Sequence, residues 1–374
     1  MARLRIQERV KRKARALAYL QLRNACALDS QMWFWAHIGH VYTLGRLSIE
    51  DTPTSIPRRD IFTYLRVQDC VNMLRFSRDQ IILMERLLSV PERIRTDCGY
   101  VISGRTALCV LLYRMAFPCR YKDMRLVFHL PDSLLCEAFN YMLHFMNERW
   151  GPLLTLDLGR LVPQLPTFAQ ALQDWGCPLP NCWAFIDGTV RGICRPVRDQ
   201  RAFYNGHKRH HAVKFQGILT PDGIVVKIFG PELGTRHDVH LLNASGVLPK
   251  LEEHMNDTLG HPYIVFGDPA YGMSSHLNCP YSAEAHGNLN AAMMEFNKQM
   301  SAGRVTIEWR FKEITSKWAF VSMKNQQKYL LSPIGVQYRV AMLLSNMHSC
   351  LNGGNEISQF FNCAPPSLEE YLGV

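Results

Sequence analysis

Two apolar runs in this chain end on an acid and turn. Trp183-Ala184-Phe185-Ile186 precedes Asp187, and Tyr263-Ile264-Val265-Phe266 precedes Gly267-Asp268-Pro269. Short runs rich in aromatic and β-branched residues, closed by Gly or Pro, predict buried strands. A strand crosses a core only if its backbone groups pair with neighbours, so both belong inside a sheet. Each then delivers a carboxylate where it leaves the apolar interior. One such acid is ordinary; two in one chain predict a shared site.

The strand signals continue around them. "HAVKFQGILTPDG" and "IVVKIFG" read as further strands, and Pro221-Asp222-Gly223 between them predicts a hairpin. One helix is expected from about Asp238, over residues 238–255, followed by the strand that ends on Asp268. A helical stretch over 289–300 then precedes "RVTIEWRFKEITSKWAFV". Strand, hairpin, helix, strand and helix in this order predict an α/β domain.

Upstream the period changes. Leu108, Leu111, Leu112 and Met115 repeat at helical spacing until Pro118, and a short helix fits Tyr121 to Phe128. Pro131-Asp132-Ser133 opens a third helix, with Leu134, Leu135, Phe139, Met142, Leu143 and Met146 on its apolar face. Three helices with a short middle one fit a helix-turn-helix module; an ordinary bundle packed on the next domain fits the same spacing. The chain therefore divides into a basic helical N-terminal region (1–95), a helix-turn-helix-like module (96–150), an α/β domain (180–350) and a C-terminal tail (351–374).

With 47% hydrophobic residues over 374 positions the chain is expected to be globular. A net charge of +10 points to a polyanionic partner, nucleic acid or an anionic membrane surface. No membrane span is expected, because the apolar stretch "TALCVLLYRMAF" is short and interrupted by Arg114. The first residues are too basic, and lack the apolar run, for a signal peptide. Twelve cysteines scatter without a CxxC pair, which fits neither a zinc site nor a small disulfide scaffold and suits a reducing compartment.

Two kinds of phosphate chemistry compete for Asp187 and Asp268. A phosphatase forming an aspartyl-phosphate wants a second acid two residues from the nucleophile, yet Phe185 and Thr189 flank Asp187 at those places, and a further acid after Gly267-Asp268 is missing, with Gly272 at its position. Metal-dependent cleavage of a phosphodiester instead needs several carboxylates converging on two divalent ions. Mg²⁺ takes hard oxygen ligands, and acids at the ends of two strands plus one on an adjacent helix would supply them. Glu308 is the helix candidate.

Those residues sit in segments that resemble the DDE-superfamily transposases of the PIF/Harbinger type and the nucleases derived from them, over residues 96–350. "FIDGT" carries Asp187, and "YNGHKRHHAVKFQGILTPDG" is similar to the family's basic segment leading into its second strand. "GTRHDVHLLNASGVL" resembles its Gly-Ser/Thr-x-His-Asp segment, with Asp238 as the acid. "VFGDPAYG" resembles its L-x-D-x-x-Y element, and "RVTIEWRFKEITSKW" its R-x-x-x-E-x-x-F helix, with Glu308 and Phe311. Pro269-Ala270 and Lys312 depart from the usual residues, which bears on loop shape and touches no carboxylate.

The resemblance implies a ribonuclease H-like catalytic domain, a mixed central sheet flanked by helices. It implies a Mg²⁺- or Mn²⁺-dependent DNA endonuclease or transposase, with Asp187, Asp268 and Glu308 catalytic and metal-binding and Asp238 a further metal-binding acid. An Asp opening a helix is also an ordinary N-cap. DNA partners, a separate Myb-like DNA-binding protein, assembly into oligomers and a nuclear location follow from the same resemblance. The rival is a domesticated DNA-binding or adaptor protein that keeps the fold without catalysis.

Basic residues supply the expected grip on DNA. Residues 190–211 hold Arg191, Arg195, Arg198, Arg201, Lys208 and Arg209, with Phe203 and Tyr204 interleaved, which reads as a phosphate-gripping loop or as a solvated basic hairpin. Lys312 either steadies a phosphate or pairs with Glu308 one helical turn away. Seven Arg and Lys within residues 3–15 read as a DNA-gripping arm, a nuclear signal or a solvated helix face. His207, His210, His211, His237 and His240 lack the Cys partners and third ligand that zinc wants.

Overall fold

The computed structural model of the chain describes residues 61–63 and 65–374; the basic arm at residues 3–15 lies outside them, as does most of the expected N-terminal region. Helices α1 (Val67–Leu74) and α2 (Arg78–Leu87) lead into a small hairpin of β1 (Arg93–Arg95) and β2 (Val101–Ser103). Ser77 caps α2 through a reciprocal box with Gln80. The three expected helices follow as α3 (Gly104–Ala116), α4 (Tyr121–Phe128) and α5 (Asp132–Trp150).

These helices are committed to a core. Leu134, Leu135, Ala138, Phe139, Met142, Leu143 and Met146 of α5 are all buried. Phe139 meets Phe320 edge-on at 5.6 Å, and Asn147 accepts a hydrogen bond from Arg339 Nε at 2.9 Å. The helix that would read DNA in a helix-turn-helix thus lies between α3 and α10 (Ile334–Leu351). Packing of this kind is that of a bundle leaning on its neighbour.

After α6 (Leu165–Trp175) comes a six-stranded mixed sheet. Its strands are β3 (Cys182–Gly192), β4 (Tyr204–Asn205), β5 (His210–Leu219), β6 (Val225–Leu233), β7 (Ile264–Phe266) and β8 (Leu277–Asn278). Across the sheet the order is β6, β5, β3, β7, β8, with β4 pairing the start of β5. β5 is antiparallel to β3 and β6, whereas β7 runs parallel to β3 and β8 parallel to β7. A mixed sheet flanked by helices is consistent with a ribonuclease H-like DDE domain.

The expected hairpin forms, with Gly223 at φ +76° and Asp222 accepting from Ile224 N at 3.1 Å. The single helix expected from Asp238 is two, α7 (Asp238–Ala244) and α8 (Val247–His254), because Gly246 between them turns left-handed at φ +58°. Conversely the two helical stretches before Trp318 are one helix, α9 (Ala291–Lys317), capped by Asn290. Residues 351–374 form two short helices, and their Ile357, Leu368 and Tyr371 are buried in the same continuous core.

Candidate active site

The parallel register between β3 and β7 sets the site. Phe185 is opposite Phe266, and Asp187 and Asp268 each follow two residues later. Side chains alternate along a strand and neighbouring strands lie about 4.8 Å apart. Both acids therefore emerge at the same level and on the same face. Strand β3 does not stop there, however: it runs on to Gly192 against β5, so Asp187 lies inside a strand whose parallel partner has already ended.

Helix α9 crosses that face. A Cβ on Gly303 would come 2.6 Å from the ring of Phe185, and one on Gly217, opposite Asp187 in the register, 2.9 Å from Phe311. The bare glycines let the helix lie on the sheet. One residue after Gly303, Arg304 reaches the strand: its Nη1 lies 3.0 Å from Asp187 Oδ2 and 3.2 Å from Glu308 Oε1. Glu308, a turn further on, is half exposed.

Asp187 is largely buried, and its Oδ1 accepts the Gly188 amide at 2.8 Å. Burial pushes its carboxyl up to about 6; Arg304 and the Gly188 amide oppose this, and the charges of Glu308 and Asp268 add to it. Asp187 thus lies in the field of both other acids. Asp268 is oriented by accepting the Ala270 amide at 2.8 Å as it caps the turn over Pro269–Tyr271.

Asp238 sits across the sheet. It opens α7 and accepts from Lys214 Nζ at 3.1 Å, and a Cβ on Gly188 would come 2.5 Å from its Oδ1. Gly188 points opposite to Asp187, so Asp238 presses on the back of the strand that carries the catalytic candidate. Tyr271 lies beside it, buried. Its phenol is pushed up first by burial and then by Asp238, with Asp187 and Asp268 contributing and Gln216 opposing. Lys214, Gln216 and Tyr271 were not singled out from the sequence for roles. Two polar side chains at alternate positions of the otherwise apolar "AVKFQGIL" were the available signal.

The basic residues divide by environment. Arg191 donates to Tyr338 Oη at 3.2 Å, Thr189 Oγ1 at 2.8 Å and the Phe311 carbonyl at 3.3 Å, which ties β3 to α9 and α10. Arg195 holds the Gln200 side chain at 2.8 Å. Arg198, Lys208, Arg209 and Lys312 are exposed. Of the interleaved aromatics, Phe203 is buried against Tyr329 at 4.3 Å, and Tyr204 remains exposed.

Among the described residues no three His, Cys, Asp or Glu side chains gather as a metal-holding group; the Arg304 guanidinium lies between Asp187 and Glu308 instead. The donor chemistry nevertheless fits divalent ions. A buried carboxylate, Asp187, whose charge cost is raised further by Glu308 and Asp268 would be relieved by a hard cation.

Residues 186–346 match the family model described as DDE superfamily endonuclease. That match supports a DDE transposase-like family. It spans Asp187, Asp238, Asp268 and Glu308 and leaves the helices before Asn181 outside. No curated protein matches the chain, and no solved structure does.

Proposed function

We propose that the protein is a divalent-metal-dependent endonuclease acting on DNA phosphodiester bonds, of the PIF/Harbinger type. The observation that carries the reading is the register that brings Asp187 and Asp268 out level on one face, beneath the helix bearing Glu308. Those three side chains would hold the ions, which supply Lewis acidity and lower the pKa of water. The Gly188 and Ala270 amides fix the two aspartates in orientation before any ligand arrives. Arg304, already on Asp187 and Glu308, is placed to exchange carboxylate for phosphate oxygen as substrate enters.

In a transposase the freed 3′-hydroxyl would then attack target DNA at the same residues. A nuclear location, a Myb-like partner protein and the gripping of element ends by the exposed cations belong to this reading. So does the helix-turn-helix role of residues 96–150, for which α4, with Lys122 and Arg125 exposed, remains the most available surface.

Metal-dependent nicking of labelled duplex DNA tests the proposal, wild type beside Asp187→Asn. The variant is expected to lose cleavage and to bind DNA equally well or slightly better, since a carboxylate facing phosphate repels it. Nicking at the wild-type rate would remove Asp187 from the chemistry. One observation favours the second reading, a DNA-binding protein without catalysis: Arg304 already pairs with both Asp187 and Glu308, where an ion would sit. On that reading wild type binds DNA and never nicks it with Mg²⁺ or Mn²⁺.

A further inference from the structure

On the back face of the sheet, at its β6 edge, a cavity of about 390 Å³ opens between β6, the junction of α7 with α8, the turn at Leu154–Thr155 and α10. Three cations line it: Lys227, Lys250 and Arg339. Lys227 is only 6% exposed, and its ammonium donates to the Ser245 carbonyl at 3.0 Å. Arg339 spends Nε on Asn147, which leaves the outer nitrogens of its guanidinium. Lys250 is exposed at the rim.

Among the described residues no carboxylate lies within ion-pair distance of any of the three. The single acid in the wall, Glu232, has His240 3.8 Å away. Burial and then the charge of Lys250 push the Lys227 ammonium down to about 8. The Ser245 carbonyl at the end of α7 takes one of its three N–H donors, and among the described residues no carboxylate balances the charge. An oxyanion in the cavity would balance it, because it would meet two ammonium groups and a guanidinium in a partly desolvated wall.

We propose that this cavity, through Lys227, Lys250 and Arg339, is a binding site for a phosphate group, and that the group is a backbone phosphate of bound DNA. Charge favours DNA over a free phosphate compound, since a net +10 attracts a polyanion. In the register Lys227 is opposite Ile218, and Ile218 opposite Ile186, next to Asp187. Two strand spacings, about 10 Å, therefore separate the strand of Lys227 from the strand of Asp187. Lys227 is level with Ile186, one residue before Asp187, so the Lys227 and Asp187 side chains leave opposite faces of the sheet and a duplex held at Asp187 reaches the cavity around the β6 edge. The DNA part of the proposal rests on the endonuclease reading; the phosphate part does not.

Two measurements test it on the full chain. The first is thermal denaturation in orthophosphate against chloride at matched ionic strength. Wild type should gain a Tm increment that grows with phosphate, Lys227→Met should lose it, and Lys250→Ser should need about tenfold more phosphate for the same increment. Phosphate also stabilises proteins by exclusion from their surface, so the difference between wild type and variant is what counts. Lys250 is exposed, so its variant guards against a folding defect in Lys227→Met. Equal increments in all three proteins would overturn the site.

The second is the salt dependence of duplex binding without divalent metal, where Lys250→Ser should flatten the slope of log K against log salt by about 0.9. An unchanged slope with the phosphate increment intact would overturn DNA as the source and leave a small phosphate compound. Asp187→Asn serves as the control that separates the two readings: it should keep the phosphate increment whether or not it nicks.

Discussion

Arg304 reaches from α9 to hold Asp187 Oδ2 at 3.0 Å while the same nitrogen sits 3.2 Å from Glu308. One guanidinium thus occupies the space between two acids that would otherwise want a cation. Arg304→Gln removes that charge and leaves Asp187 buried in the field of Glu308 and Asp268. The variant is expected to be less stable without metal and to gain more in Tm from added Mg²⁺ than wild type does, because the metal no longer competes with the guanidinium. Calorimetry with and without Mg²⁺ checks this. Equal gains would mean that the arginine and the ion do not share a place.

Three glutamates of α9 separate by their partners. Glu313 holds Arg310 at 2.7 Å and Lys317 at 3.1 Å, and Arg310 is completely buried. Glu313→Gln should lower stability by roughly 2 kcal/mol, the size of a lost hydrogen bond to a charged group, and should keep its nicking rate below the shifted Tm. Glu295, exposed and 3.7 Å from Lys298, should be neutral in both. Glu308→Gln should lose metal-dependent nicking with little change in Tm. Nicking that survives in Glu308→Gln and disappears in either of the others would move the third carboxylate.

The same contrast applies to the cations. Lys208→Ser with Arg209→Ser should flatten the salt slope of DNA binding by up to about 1.8, which is about 0.9 for each phosphate no longer neutralised, and leave Tm nearly unchanged. Arg191→Ala should lower Tm, because it unties β3 from Tyr338 and the Phe311 carbonyl. If Arg191→Ala leaves Tm where it was and flattens the slope, Arg191 grips DNA after all.

What the sequence made legible follows from range. Apolar runs ending on Asp187 and Asp268, and the turn at Pro221-Asp222-Gly223, are local signals, and the strands and hairpin form where those signals stand. The level meeting of Asp187 with Asp268 depends on the parallel register of β3 with β7, which no local pattern states. Glu308 and Arg304 were visible as a one-turn pair, but the reach of Arg304 to Asp187 depends on Gly303 letting α9 down onto Phe185. Lys214 in a strand gave no hint that it would hold Asp238 from the far face. The 351–374 segment read as a tail because its few apolar residues, Ile357, Leu368 and Tyr371, find their partners only in a core assembled from distant elements.

His348 gives a pH dependence away from the acids. It is packed against Phe76 and accepts Lys317 Nζ at 2.9 Å on Nδ1. Burial, then Lys317, hold its pKa down to about 4, with Arg310 and Arg75 adding and Glu313 opposing. The unfolded chain binds this proton near pH 6.5 and the folded chain only near 4. Stability from this group is therefore fully present above about pH 6.5 and is lost as pH falls toward 4. His348→Gln should flatten the pH profile of unfolding over that window by on the order of 2 kcal/mol. A profile of unchanged steepness would show that His348 is not what acid attacks there.

Gly303 carries the last test, because two opposing effects of known size meet at one residue. Alanine in the middle of a helix is favoured over glycine by about 1 kcal/mol. Its Cβ would come 2.6 Å and 3.1 Å from two ring atoms of Phe185 and 3.3 Å from Trp175. Phe185 is itself fixed, stacked on Phe361 at 5.9 Å and paired in register with Phe266. Neither ring can swing aside as a flexible side chain would, so overpacking should cost about 1–3 kcal/mol and outweigh the helix gain. Gly303→Ala is expected to lower Tm by a few degrees. It should lower nicking further at temperatures where the protein is folded, because lifting α9 carries Arg304 and Glu308 away from Asp187. A more stable Gly303→Ala protein with full activity would mean that α9 has room to shift, and that its contact with Phe185 does not set the distance between the helix and the strand acids.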